Sequence, residues 1–188
     1  MPLDITFTLS DDDLEHFQRV VDKAKSALKQ AQSDGQIEAA ARQLIDDSRA
    51  NDLPDFIASR LSKLEVVINM VGDAEWKLSE EERKRVLGAL VYFCDPEDLI
   101  PDHIPGIGFL DDAIYVELII RELKYEIESY EEFCNFRIAE EKRRKDQGLD
   151  PYVEREEWLA DKRAALHNRM RKRRRSGASA GGGWRIRW

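Results

Sequence analysis

The chain has 188 residues, 42% hydrophobic and 36% charged, with a formal net charge of −8. That length allows one domain with a real core plus appendages, and that mixture suits a water-facing helical body. No apolar run approaches the ~18 residues a bilayer-spanning helix needs, and the acidic start MPLDITFTLSDDD lacks the apolar stretch of a signal peptide. The expectation is therefore a cytoplasmic chain, with peripheral attachment to the inner membrane as its one route to a membrane.

Leu3, Ile5, Phe7 and Leu9 alternate with Asp4, Thr6 and Thr8, the pattern of a short strand or an extended arm over residues 1–9. Ser10 follows as a helix N-cap, with Asp11 to Asp13 in the first turn where the helix dipole favours negative charge. Leu14, Phe17, Val21, Ala24 and Leu28 then predict a first helix to about Gln32, broken by Ser33-Asp34-Gly35. Ile37, Ala40, Ala41, Leu44, Ile45 and Ser48 form a weaker stripe. Asp52-Leu53-Pro54 starts a third helix, whose Phe56, Ile57, Leu61, Leu64, Val67, Ile68 and Val71 make a broad apolar face ending near Gly72. Ser79 and Glu82 bracket a capping box that opens a fourth helix, with Val86, Leu87, Leu90 and Phe93 inward.

The stretch from Asp95 to Ala113 reads DPEDLIPDHIPGIGFLDDA. An ordinary helix cannot hold Pro101, Pro105, Gly106 and Gly108, and a linker has no reason to be so apolar. It reads as a specified corner between helices. Asp95 caps a short turn with Pro96 first in it, and Asp111 is expected to cap the next helix. Leu99, Ile100, Ile104, Ile107, Phe109 and Leu110 would fill the end of the core. Val116, Ile120, Leu123, Ile127, Tyr130 and Cys134 then follow at heptad-like spacing, which predicts one continuous helix from Asp112 to about Gln147, ended by Gly148.

Convergent carboxylates can hold a divalent metal or act as an acid/base pair, so Asp98, Asp102, His103 and Asp112 are the candidate metal ligands. The competing use is structural: caps for Asp95 and Asp111, a first-turn position for Asp98, and an Asx-type turn for Asp102. The spacing does not match a calcium-binding EF-hand. Gly106-Ile107-Gly108 fails as a phosphate loop, because Asp111 stands where the third glycine would be and no strand precedes it. No zinc-protease, nucleophile-elbow or Walker motif is present, which argues against an enzyme. No cofactor is expected beyond that optional metal. Cys94 and Cys134 read as small buried hydrophobes, and His16 and His167 as solvated residues on charged helix faces.

The same stretch, DPEDLIPDHIPGIGFLDDA, resembles the signature of the YkvA-like family, a bacterial domain-of-unknown-function family. The resemblance covers some thirty residues and marks Asp95, Pro96, Asp98, Pro101, Asp102, Pro105, Gly106, Gly108, Asp111 and Asp112 as its structural signature. It implies no activity. Some members look membrane-embedded around this motif, and this chain departs from them in lacking a long apolar run.

From Lys162 to Trp188 there are ten Lys/Arg and no Asp or Glu, so an acidic body precedes a basic end. A charged helix is expected over 151–172, weakly docked through Trp158, Leu159, Ala165 and Leu166, followed by a flexible basic tail over 173–188 with SGASAGGG as its spacer. Arg171, Lys172, Arg173, Arg174 and Arg175 could bind anionic lipid, nucleic acid, or the acidic body itself. Trp184, Arg185, Arg187 and Trp188 suit a membrane interface or strand addition to a partner. An anionic membrane surface and a protein partner or self-association rank together, and nucleic acid ranks behind, because the acidic body repels it. The reading is an all-α protein: one domain of about five helices over 10–147, non-catalytic, with the tail as its tether. A metal-dependent hydrolase or metal-binding protein using the acidic loop, and a nucleic-acid-associated protein using the tail, are the alternatives.

Overall fold

The computed structural model describes residues 19, 33–49, 53–94 and 109–179. Their regular structure is all helical: α1 (Asp34–Arg49), α2 (Asp55–Gly72), α3 (Glu80–Leu90), a 3-10 turn (Val91–Cys94), α4 (Leu110–Glu122), α5 (Lys124–Asp146) and α6 (Arg155–Ser179). The fold is all-α, as the apolar periodicity predicts. The expected arm over 1–9, most of the first predicted helix and the loop residues between Cys94 and Phe109 lie outside the described residues.

α2 is the central helix. Its apolar face is broad, and Leu64, Val67, Ile68 and Met70 are completely buried. A side chain of that kind contributes about 1.5–3 kcal/mol when removed from water, so this helix anchors the domain. α1 lies against it through Ile37, Ala41 and Ile45, α4 through its buried face of Ala113, Val116 and Ile119, and α3 and α5 close the remaining sides. The weaker stripe of α1 is thus a full partner in the core. Tyr115 fixes α4 to the end of α3: its buried hydroxyl donates to the Ala89 carbonyl at 2.7 Å.

The long helix expected from Asp112 to Gln147 is two helices. It breaks at Leu123, whose φ of −96° and ψ of 17° leave the helical range. Neither Pro nor Gly stands there. Arg85 of α3 binds the Glu122 carboxylate and donates to the Glu122 carbonyl at 3.3 Å. A side chain inserted at a helix carbonyl is a recognised cause of a kink. The start of α4 also differs from expectation. Phe109 occupies the N-cap position without a side-chain cap bond, and Asp111 and Asp112 sit inside the first turn. Asp111 is therefore not the cap, although the position still suits a negative charge. Phe109 is buried and Leu110 half-buried against the core, as the sequence suggests.

Gly148 ends α5 as predicted. Its amide bonds to the Lys145 carbonyl at 3.0 Å, and the Leu149 amide reaches Arg144 at 2.9 Å. This is the Schellman pattern, which needs the left-handed conformation that Gly148 takes at φ 71°.

α6 departs most from its reading. It runs through Ser179, so Ser176 to Ser179 of the supposed spacer are helical. Leu159, Leu166 and Met170 are buried in the same core as α2, and Ala165 is exposed. The weakly docked appendage is a core-forming helix. Its low overall apolarity hid this, because many of its remaining contacts with the body are ion pairs.

Candidate interaction site under the C-terminal helix

The site starts from a local turn. Asp73 follows α2, and its carboxylate accepts the amides of Glu75 (2.9 Å) and Trp76 (3.2 Å). That turn drives Trp76 inward, where it is completely buried. Its ring lies 5.8 Å from Tyr130, 5.1 Å from Phe133 and 4.2 Å, stacked, from His167. His167 is therefore buried against α6's contact surface, not solvated as its charged neighbours suggest. Its Nε2–H donates to the Trp76 carbonyl at 3.0 Å, since a carbonyl can only accept.

Next in the chain comes the capping box of α3. The Ser79 hydroxyl accepts the Glu82 amide at 3.3 Å, and the Glu82 carboxylate takes the Ser79 amide at 3.1 Å. This reciprocal pair is what Ser79 and Glu82 predict. The sequence does not reveal the second use of Glu82. Its carboxylate is 2% exposed; Arg171 donates to it at 2.9 Å and 3.3 Å, and His167 Nδ1 lies 3.6 Å away. Burial pushes this carboxyl up, yet the nearby His167 and the bonds from Arg171 and Ser79 outweigh burial and hold it far below the ordinary carboxylate range.

The basic run continues along the same groove. Arg174 binds the buried Glu126 at 3.3 Å. Arg173 pairs with Glu128 at 2.7 Å and lies over the Tyr125 ring at 4.6 Å. Arg169, one turn earlier, and Lys162 (2.8 Å), two turns before that, both bind Glu132, and together they lower its pKa. At the start of α6, Arg155 bonds to Glu75 and Glu141. The periodicity explains the sorting. His167, Met170, Arg171 and Arg174 fall at i, i+3, i+4 and i+7, on the face toward α3 and α5. Lys172 and Arg175 fall on the outer face and are exposed.

The arrangement clasps a helix. Ser79, Glu82 and His167 lie together, but the Ser79 hydroxyl donates directly to the carboxylate at 2.7 Å. Nucleophile activation would need it to donate to the imidazole. Cys134 is half-buried beside Tyr130 and Arg137, and burial raises its thiol pKa, so it is not an activated thiolate.

Of the acidic-loop residues, Asp111 and Asp112 are described, and both are buried in the first turn of α4. Asp95, Pro96, Asp98, Pro101, Asp102, His103, Pro105, Gly106 and Gly108 lie outside the described residues, as do Trp184, Arg185, Arg187 and Trp188. Among the described residues, no cluster of three His, Cys, Asp or Glu could hold a metal ion, and no helix is long and apolar enough to cross a membrane.

Comparison with known proteins places these elements. A family described as a protein of unknown function (DUF1232) matches residues 83–118, which is α3 from Arg83, the 3-10 turn, the loop and α4 as far as Leu118. The "Uncharacterized membrane protein YkvA" of Bacillus subtilis (strain 168) is 35% identical over 65 residues, covering 31% of this chain and 61% of that protein. The chain thus spans about three fifths of that relative's length. No solved structure matches.

Proposed function

We propose that this chain, a member of the YkvA-like family, is a non-catalytic interaction protein that meets an anionic membrane surface from one side through its C-terminal end. The observation that carries the reading is the fate of the basic run. Arg171, Arg173 and Arg174 are each taken by a body carboxylate: Glu82, Glu128 and Glu126. They serve to hold α6, so they are not the tether. The outward contact then falls to Lys172 and Arg175 on the outer face and to Trp184, Arg185, Arg187 and Trp188 beyond the helix. Trp and Arg side by side suit the headgroup region, where an aromatic ring is half dry and a guanidinium meets phosphate. The name of the Bacillus subtilis relative, a membrane protein, supports a membrane as the partner. The absence of a spanning helix among the described residues supports attachment at the surface. Nucleic acid fits less well, because Arg171, Arg173 and Arg174 of the basic run are already paired with body carboxylates and the acidic body repels a polyanion.

Vesicle flotation tests this. With phosphatidylglycerol vesicles, the full chain floats, and Trp184→Ala/Trp188→Ala and Arg185→Gln/Arg187→Gln each reduce the floated fraction severalfold. Arg171→Gln changes folding stability but not flotation of the folded fraction. Equal flotation of the tail variants and the parent chain would remove the tether.

A further inference from the structure

His167 stands on the inward face of α6, one turn before Arg171, and is 6% exposed. Its ring lies between two fixed groups. Nε2 is 3.0 Å from the Trp76 carbonyl oxygen. Nδ1 is 3.6 Å from Oε2 of Glu82 and has no hydrogen-bond partner among the described residues. The carbonyl can only accept, and so can an ionised carboxylate. Glu82 is ionised wherever an imidazole titrates, since its carboxyl is held far below the ordinary range.

A neutral imidazole has one N–H and one bare nitrogen. With the hydrogen on Nε2, the lone pair of Nδ1 faces a carboxylate. With the hydrogen on Nδ1, the lone pair of Nε2 faces a carbonyl. Either neutral ring therefore sets acceptor against acceptor in a buried place, where water screens little. The doubly protonated ring alone offers a donor to each. It also turns the contact with Trp76, stacked at 4.2 Å, into one between a cation and an indole face.

The other charged and titratable groups around the ring are already engaged. Arg171, four residues on, gives its charge to Glu82 Oε1 at 2.9 Å and is 40% exposed, so water weakens its repulsion of the ring. Arg163, four residues back, bonds to the Glu75 carbonyl and Glu156. Lys77, beside Trp76, pairs with Glu156 at 2.6 Å. Behind Trp76, α5 brings the Tyr130 hydroxyl, which donates to Asp73 at 3.1 Å and which burial keeps protonated. No other cation is needed to explain why the carboxylate and the carbonyl converge on this ring.

We infer that His167 carries both ring protons while α6 is docked, so that the docking of this helix is proton-linked and loosens as the imidazole loses its second proton. The docked state binds more protons than the released one, so stability falls as pH rises through that titration. Histidine changes charge between about pH 5 and 8, so the sensitivity falls near neutrality. Acid weakens the same joint from the other side, by neutralising Glu82. The latch is independent of what the tail meets.

Long-range proton–nitrogen NMR of the full chain tests the charge state directly, with His167→Gln assigning the signals. At about pH 7, where a solvated imidazole is mostly neutral, the parent should show both nitrogens of His167 protonated, and Glu82→Gln should show one bare. A bare nitrogen in the parent, or a doubly protonated ring that survives Glu82→Gln, overturns the inference. Urea unfolding from about pH 6 to 8.5 reads the linkage. The parent's folding constant should fall by roughly tenfold more than that of His167→Gln, the size of one charge-assisted hydrogen bond. Parallel pH profiles would overturn it. If His167→Gln does not fold, the parent's ring signals, assigned through Glu82→Gln, decide alone: two protons sustain the latch and one removes it.

Discussion

Replacing Glu82 with Gln removes one charge and no bulk, and it tests the central joint of the molecule. The parent carboxylate is 2% exposed and serves two helices: it caps α3 through Ser79 and anchors α6 through Arg171 and His167. A lost capping interaction costs about 1 kcal/mol, but glutamine keeps an acceptor for the Ser79 amide, so most of that is retained. Leaving a buried charge without its partner costs about 3–5 kcal/mol. Here Arg171 is 40% exposed and can turn to water, which places the loss nearer about 2 kcal/mol. Glu82→Ala, which also loses the cap, should cost about 3 kcal/mol. Urea unfolding at neutral pH measures both, and a cycle with Arg171→Gln should return a coupling of about 1 kcal/mol. The sign with pH follows from the depressed carboxyl. Its stabilisation is fully present above the ordinary value of 4.5 and is lost progressively as pH falls below it. Glu82→Gln should flatten that acid limb. A variant within about 0.5 kcal/mol of the parent, or one with an unchanged acid limb, would refute the clasp.

Gly148→Ala should destabilise by about 1 kcal/mol in the same melts. Nothing lies within 4 Å of the added methyl, so the cost comes from φ 71° alone, and a neutral result would contradict the Schellman turn. Tyr115→Phe should cost about 1–1.5 kcal/mol, because it removes a buried hydrogen bond to the Ala89 carbonyl; no change would mean that the hydroxyl does not tie α4 to α3. Glu140 and Glu156 are each drawn down to about 2 by hydrogen bonds from Arg143 and Arg144 in one case and from Arg163 and Lys77 in the other. Carboxyl chemical-shift titrations should place both midpoints near 2, and midpoints near the ordinary 4.5 would show those pairs open in solution. Their contribution to stability is present above 4.5 and disappears as pH falls through 2.

The legible features of the fold are those written within a few residues of one another. The stripe of α2, the capping box at Ser79 and Glu82, the glycine stop at Gly148 and the apolar run of α4 all follow from spacing, because helix faces and caps are decided within one or two turns. The break at Leu123 was not legible, since its cause is Arg85 of another helix. The burial of His167 was hidden for the same reason: its immediate neighbours are charged, and its real neighbours, Trp76 and Glu82, are distant in sequence. The basic run could be read as a tether, a nucleic-acid arm or a partner for the body, because a charge run specifies attraction but no address.

Sequence by itself determined that the described part of the chain is helical, where α2 and α3 begin and where α2 and α5 end, and that an acidic body precedes a basic end. Tertiary structure alone decided which carboxylates Arg171, Arg173 and Arg174 meet. Arg171 and Glu82 stand 89 residues apart, and their pairing depends on α3 and α6 sharing a wall around Trp76. Local periodicity sets which way a side chain faces; only the packing of helices against one another sets which charge it meets.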